Sequence, residues 1–214
     1  MHVTILCSNE QKAELLAQGA LHQAAAVTWI QSLPELEAIT EAQVFVDLLF
    51  EHTPERMALL TKLLPAVVIV NSVGATLAEL NPQFVRINGW TTLLSSPLLE
   101  AAGDAAKRPA TEEVFSFFNK AVEWLPDTEG FITPRVICAV INEAYFALEA
   151  GISSREDIDT AMKLGTAYPY GPLDWGNRIG LPRVASLLKR LSGQQPRYIP
   201  CALLLQEANA AETQ

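Results

Sequence analysis

Short runs of continuously apolar residues alternate with helix-like segments through the first 90 residues of this chain. The runs predict five strands: Val3–Cys7, Ala26–Ile30, Val44–Leu48, Ala66–Val70 and Phe84–Ile87. Strands without polar alternation are typical of a parallel sheet that is covered on both faces, and the intervening helices supply that cover. The pattern therefore predicts an α/β domain of the Rossmann-like, doubly wound kind.

Two helices are predicted between these strands. Gln11–Leu21 has its apolar residues at helical spacing. Pro54–Leu64 begins with a good pair of start signals, because Thr53 can cap the helix and Pro54 suits the first helical position. Both segments are amphipathic enough to lie on a face of the sheet.

The second half of the sequence predicts helices and no strands. Thr111 would cap a helix over Glu112–Trp124, and Thr133 with Pro134 would begin a helix that runs to Ala150 and ends at Gly151. The predicted helices after that follow a capping box at 153–156 and end at Gly165, or span Leu173–Ile179 and Pro182–Leu191.

The helix that begins at Thr133 is apolar on nearly every face, which is typical of a helix buried in a core or a subunit interface. The predicted organisation is a truncated Rossmann-like domain over residues 1–108, a connecting helix and linker over 109–128, and a helical dimerisation domain over 129–214.

Composition and charge exclude several classes of protein. Half of the residues are hydrophobic and 18% are charged, which excludes a disordered chain. The net charge is −9 and no basic stripe occurs, so no nucleic-acid partner is expected. The longest apolar run, Leu63–Val70, is too short to span a membrane. The amino terminus lacks the basic region of a signal peptide, and three cysteines do not make a disulfide framework, so we expect a cytoplasmic location with reduced thiols.

Several short motifs occur in order along the second half of the chain. They are Gly130-Phe131-Ile132, Asn142-Glu143-Ala144, the segment from Glu156 to Gly165, and Tyr168-Pro169-Tyr170-Gly171-Pro172-Leu173. This stretch resembles the C-terminal helical domain of 3-hydroxyacyl-CoA dehydrogenases. The first half resembles the same family through Asp47–Glu55, Val70-Asn71-Ser72 and Leu98-Leu99-Glu100.

The resemblance implies a Rossmann-like sheet followed by a helical domain like the C-terminal domain of 6-phosphogluconate dehydrogenase, which in the family forms a homodimer. It also implies an oxidoreductase of fatty acid metabolism that oxidises a 3-hydroxyacyl-CoA with NAD. In the family a histidine accepts the hydroxyl proton, a glutamate orients it, and a serine and an asparagine hold the substrate oxygen.

The positions that would bind the cofactor are altered in this sequence. The three glycines of the family's phosphate loop are replaced by Cys7, Asn9 and Lys12, and Gln31 replaces the acid expected about 20 residues further on. Glu51 and Asn71 stand at positions that the resemblance assigns to the neighbourhood of the cofactor.

The catalytic positions are altered as well. The family's histidine falls on Asn88, its serine on Val73 and its asparagine on Pro134, whereas Glu100 keeps the family's glutamate. Asparagine cannot act as a general base near neutral pH. His52, which follows a strand, is the candidate to replace the missing base. The segment 32–42 also replaces a long helical excursion that contributes to coenzyme A binding in the family.

The leading hypothesis is a degenerate family member, a pseudoenzyme that keeps the scaffold and the dimer, needs no cofactor, and binds an acyl-CoA-like or other small metabolite. The alternative is an active NAD-dependent dehydrogenase with a rebuilt site, in which Asn88 and Glu100 orient the substrate. A third hypothesis is an assembly subunit without a small ligand. The sequence leaves open whether the chain is an enzyme, and no metal site is predicted.

Overall fold

The computed structural model describes residues 1–19, 26–37 and 42–213. The chain divides into two compact units, Met1–Phe131 and Ile132–Gln214. We call them the sheet unit and the helical unit. The interval 109–128, for which the sequence predicted a connecting helix and linker, contributes a helix and a strand to the sheet unit.

The sheet unit is built on one seven-stranded sheet within the described residues. The strands are β1 (His2–Leu6), β2 (Ala26–Ile30), β3 (Val44–Asp47), β4 (Val67–Asn71), β5 (Val85–Ile87), β6 (Leu98–Gly103) and β7 (Ala121–Trp124). Their order is β2-β1-β3-β4-β5-β6-β7, and every neighbouring pair is parallel except β5 and β6. The predicted parallel-dominated α/β architecture is confirmed, and each of the five predicted strands is present within one residue at either end.

The helices of the sheet unit cover both faces of the sheet. They are α1 (Asn9–Leu16), α2 (Leu33–Glu37), α3 (Pro54–Lys62) and α4 (Arg108–Ser116). One apolar cluster includes Val3 and Ile5, whereas Leu6 lies in a second cluster, as expected when successive side chains of a strand point to opposite faces. Thr53 caps α3 with its hydroxyl and Pro54 begins the helix, as predicted.

The prediction that strands stop before residue 90 is wrong. Residues 112–124 do not form one helix, because α4 ends at Ser116 and β7 begins at Ala121. Asn119 turns the chain between them with a φ of 53°, a left-handed conformation that asparagine tolerates better than most residues. Thr111 lies inside α4 and does not cap it. The predicted helix from Gln11 also ends early, at Leu16, and its last two residues lie outside the described part of the chain.

The helical unit contains α5 (Thr133–Glu149), α6 (Arg155–Thr166), α7 (Pro172–Ile179), α8 (Leu181–Ser192) and α9 (Ala202–Glu212). Its helices match the predicted ones within two residues, and Gly151 follows α5 with a left-handed φ of 66°. Two predicted caps are wrong. Thr133 is the first residue of α5, whose N-cap position is held by Ile132, and the cap of α6 is Ser154, which accepts from the Asp157 N–H.

Exposed apolar side chains concentrate on the helical unit. Six of the eight most exposed large apolar residues of the described chain belong to it: Ile132, Val136, Phe146, Ile152, Leu164 and Ile199. Ile132, Val136 and Phe146 recur at helical spacing along α5, and we call them the α5 stripe. No helix among the described residues is long and apolar enough to cross a membrane.

One fully buried arginine organises the loops at the carboxyl edge of the sheet. Arg86 lies in β5 and its side chain is 0% exposed. Its Nε pairs with Asp127, its Nη2 donates to the Thr128 carbonyl, and its guanidinium lies 4.2 Å from the centroid of the Phe131 ring. Its Nη1 donates to three carbonyls of the loop after β4, those of Ser72, Val73 and Ala75.

Replacing Arg86 by methionine is therefore expected to destabilise the protein strongly. The change would leave several buried carbonyls without donors and Asp127 without its cation, a class of loss that costs about 3–5 kcal/mol. Urea unfolding followed by circular dichroism measures it. Arg178→Met is the matched control, because Arg178 pairs with Asp174 on an exposed helix surface, where an ion pair contributes about 0–1 kcal/mol. Equal losses in the two variants would contradict the role given to Arg86.

Candidate functional site

The carboxyl ends of the parallel strands bring most of the predicted site residues to one edge of the sheet. Asn71 ends β4, and Asn88 directly follows β5. Ligands of open α/β sheets bind outside this edge, because the loops there carry side chains from several strands. The structure therefore places Asn71 at the end of β4, Val73 in the loop after it and Asn88 directly after the neighbouring strand β5.

Asn88 and Glu100 form a buried pair. The Asn88 side-chain amide donates to Glu100 Oε2 over 3.0 Å, and the Asn88 N–H donates to the Glu100 carbonyl. The two residues are 5% and 7% exposed. The structure thus joins the two positions that the resemblance assigns to the histidine and its orienting glutamate. An amide fills the first position, and an amide cannot accept a proton as a general base near neutral pH.

Asn71 holds the loop after β5 in place. Its amide donates to the carbonyls of Leu48 and Gly89, and its Oδ1 accepts from the Gly89 N–H over 2.9 Å. These hydrogen bonds of the Asn71 side chain are all made with backbone groups. A Cβ on Gly89 would lie 2.9 Å from Asn71 Cγ, so the close approach of the two segments requires glycine.

The other predicted site residues that the structure describes form no hydrogen-bonded catalytic group. Val73 is 2% exposed, and its carbonyl accepts from the Gly130 N–H and from Arg86. Pro134 is buried near the start of α5, in the other unit. Glu51 and His52 are exposed after β3, and the His52 ring stacks on Phe50 at 6.4 Å between centroids. His22 lies outside the described residues.

A concavity of about 250 Å³ lies at the turn between β1 and α1. Its lining includes Cys7, Asn9 and Lys12, the three positions where the family has glycine. The other lining residues are Ser8, Trp29, Ile30, Gln31 and Glu35. The Gln31 side-chain amide donates to Asn9 Oδ1 over 2.6 Å, and the Lys12 ammonium lies 4.7 Å from the centroid of the Trp29 ring. The side chains of Asn9, Gln31 and Lys12 therefore already contact partners within this concavity.

These residues do not fit the pyrophosphate of a dinucleotide. The cation that could neutralise a phosphate, Lys12, lies on Trp29, and the first turn of α1 carries Glu10. The sheet unit has 7 Lys and Arg against 16 Asp and Glu, whereas the helical unit has 8 of each, so the whole net charge of −9 belongs to the sheet unit. Such a field disfavours a polyanion.

Among the described residues no group of three potential ligands could hold a metal ion. The sequence analysis also missed Arg86, which fixes the loop that contains Val73. A charged residue inside the apolar run Phe84–Ile87 was the available signal, because arginine is almost never buried unless it is paired.

Comparison with known proteins identifies the class. The fold resembles that of (S)-3-hydroxybutyryl-CoA dehydrogenase from Ralstonia eutropha, with a TM-score of 0.74 and 19% identity over 98% of this chain and 93% of that one. This chain therefore has the same fold as that protein. Residues 130–214 match the family model of the 3-hydroxyacyl-CoA dehydrogenase C-terminal domain. Residues 130–214 are thus a C-terminal domain of the 3-hydroxyacyl-CoA dehydrogenase type, as their motifs indicated.

Curated relatives support the same family over part of their length. The chain is 46% identical over 92 residues to 3-hydroxyadipyl-CoA dehydrogenase of Escherichia coli K12, a match that covers 42% of this chain and 19% of that protein. It is 46% identical over 103 residues to human mitochondrial hydroxyacyl-coenzyme A dehydrogenase, covering 46% of this chain and 33% of that protein. The matched region is thus a third or less of each of these two relatives.

Gly89→Ala is expected to destabilise the protein by about 1–3 kcal/mol, the usual cost of overpacking, because the new methyl group would press on Asn71 and Leu48. Gly165→Ala is the matched control. Nothing lies within 4 Å of a Cβ at Gly165, which is part of α6, so alanine should stabilise by about 0.5–1 kcal/mol. Denaturant unfolding measures both, and a neutral Gly89→Ala would contradict the close approach.

The thiol of Cys7 is expected to be unreactive in the folded protein. Burial raises its pKa to about 11, although Lys12 lowers it, so little thiolate exists at pH 8. Burial also raises the pKa of the Cys138 and Cys201 thiols. A chromogenic disulfide reagent at pH 8 should therefore label all three cysteines rapidly in urea and none rapidly in the native protein. One fast equivalent in the native state would contradict this.

Proposed function

We propose that this chain is a family member that does not transfer hydride. The observation that supports the proposal is the buried bond between the Asn88 amide and Glu100, which fills the proton-accepting position with a group that cannot accept a proton at neutral pH. Removing a general base alone lowers turnover by about 10²–10⁴-fold. Here the serine position, Val73, lacks a hydrogen-bonding side chain as well.

The test is turnover of 3-hydroxybutyryl-CoA with NAD, followed by absorbance at 340 nm. We expect a rate that cannot be distinguished from the blank without protein. A 3-hydroxybutyryl-CoA dehydrogenase of the same family, assayed in parallel, shows that substrate and cofactor are competent. Turnover within tenfold of that enzyme would refute the proposal and support the rebuilt-site alternative, in which His52 or water moves the proton.

An acyl-CoA-like metabolite is the ligand class that we propose for the retained scaffold, and fatty acid metabolism is its proposed setting. The excess of acidic residues in the sheet unit opposes a polyanionic ligand. Binding of acetoacetyl-CoA, measured by thermal shift, should therefore become stronger when salt screens the repulsion. Binding that weakens with salt would indicate a basic site and contradict this charge argument.

We also propose that the helical unit forms a homodimer through the α5 stripe, and that the chain is cytoplasmic. Exposed apolar patches mark interaction surfaces, and the three cysteines of the chain are free thiols, as a reducing compartment requires. The exposed Val136 and Phe146 support the choice of α5 as the contact helix.

Val136→Asp is therefore expected to shift a dimer to the monomer, because it places a charge in the apolar stripe. Sedimentation velocity measures the shift. Ser186→Asp adds the same charge at an exposed position of α8, away from the stripe, and should leave the dimer intact. A wild-type protein that sediments as a monomer at micromolar concentration would refute the homodimer.

A further inference from the structure

The first turn of α1 follows β1 at the carboxyl edge of the sheet. A helix of this kind leaves its first N–H groups without intrahelical partners, and a bound anion or a capping side chain can satisfy them. A phosphate can bind at this turn only if capping side chains do not already occupy the N–H groups. The side chains of Ser8 and Gln11 settle the matter here.

Ser8 and Gln11 form a reciprocal capping box. The Ser8 hydroxyl accepts from the Gln11 N–H, and Gln11 Oε1 accepts from the Ser8 N–H, each over 3.1 Å. The next N–H, that of Lys12, donates to the Ser8 carbonyl. Two N–H groups of the turn, those of Ser8 and Gln11, are therefore bonded to side chains of the turn, and the Lys12 N–H makes the first intrahelical bond.

A neighbouring strand fixes the Gln11 side chain in this arrangement. Gln11 is 5% exposed, and its Nε2 donates to the Leu48 carbonyl at the end of β3 over 2.9 Å. Both ends of one side-chain amide are thus bonded, one to the turn and one to β3. Rotating Gln11 away to admit a ligand would break the bonds of its buried amide and leave the Ser8 N–H without its acceptor, a loss of the kind that folded proteins avoid.

Other polar side chains beside the β1–α1 turn also have partners within the protein. The Asn9 side chain accepts from Gln31, and the Lys12 ammonium lies over Trp29. Glu10 adds a negative charge to the first turn of α1, where it interacts favourably with the helix dipole in place of an external anion.

We propose that the β1–α1 turn is closed to dinucleotides by its own side chains: the Ser8–Gln11 capping box takes two of the N–H groups at the helix start, and Lys12 and Gln31 bind Trp29 and Asn9 at its edge. The inference concerns cofactor binding and goes beyond the proposed loss of hydride transfer, which rests on Asn88. The Gln11 side chain thereby links the first turn of α1 to the backbone at the end of β3.

Titration of the wild-type protein with NADH tests the consequence for binding. Thermal shift and NADH fluorescence should show no saturable binding up to millimolar concentration. Saturable binding below millimolar would overturn the inference. If NADH binds without turnover of acetoacetyl-CoA, the closed turn is refuted and the proposed function stands; binding with turnover refutes both.

Amide hydrogen exchange tests the capping box directly. The N–H groups of Ser8 and Gln11 should be protected in the wild type and should exchange about tenfold faster in Ser8→Ala and Gln11→Ala, the factor that a lost cap implies. Thr53→Ala is the matched control, because it removes the equivalent cap of α3 and should leave exchange at α1 unchanged. Unprotected Ser8 and Gln11 amides in the wild type would overturn the inference.

Discussion

The buried guanidinium of Arg86 is the interaction on which the carboxyl edge of the sheet depends. It ties the loop after β4 to the segment from Asp127 to Phe131, and these two segments are far apart in sequence. Burial lowers the pKa of the guanidinium and the Asp127 carboxylate opposes that shift. Arg86 lies in β5, and Asn88 directly follows that strand. The same strand therefore positions both the arginine that holds the loops and the candidate site residue Asn88.

Around that frame, several buried polar side chains at the carboxyl edge of the sheet are bonded within the protein. The Asn88 amide is bonded to Glu100, Asn71 is bonded to the backbone around Gly89, and Gln11 is bonded to β3. Satisfied polar groups stabilise a fold, whereas an active site needs groups that exchange partners with substrate. These bonds thus stabilise the fold at each of these positions, while the helical unit matches the family's C-terminal domain.

The sequence was informative where local signals decide the structure. Continuous apolar runs located five strands, and Thr53 with Pro54 located the start of α3. Prediction failed where distant partners decide: β7 is a strand because it pairs with β6, although its residues carry helical spacing. The family resemblance singled out residues 88 and 100, and the structure joins them by a hydrogen bond. The roles of Arg86 and Gln11 could not be predicted, because each depends on contacts with segments more than ten residues away.

The most direct measurement of the central claim is a single-turnover isotope transfer. Stoichiometric protein, acetoacetyl-CoA and NADH deuterated at the transferable position are incubated, and the 3-hydroxyacyl product is analysed by mass spectrometry. This detects one event per chain and is independent of product release. The account predicts deuterium in the product at the level of the blank without protein. Incorporation approaching one deuterium per chain would contradict it and would show that the chain still transfers hydride.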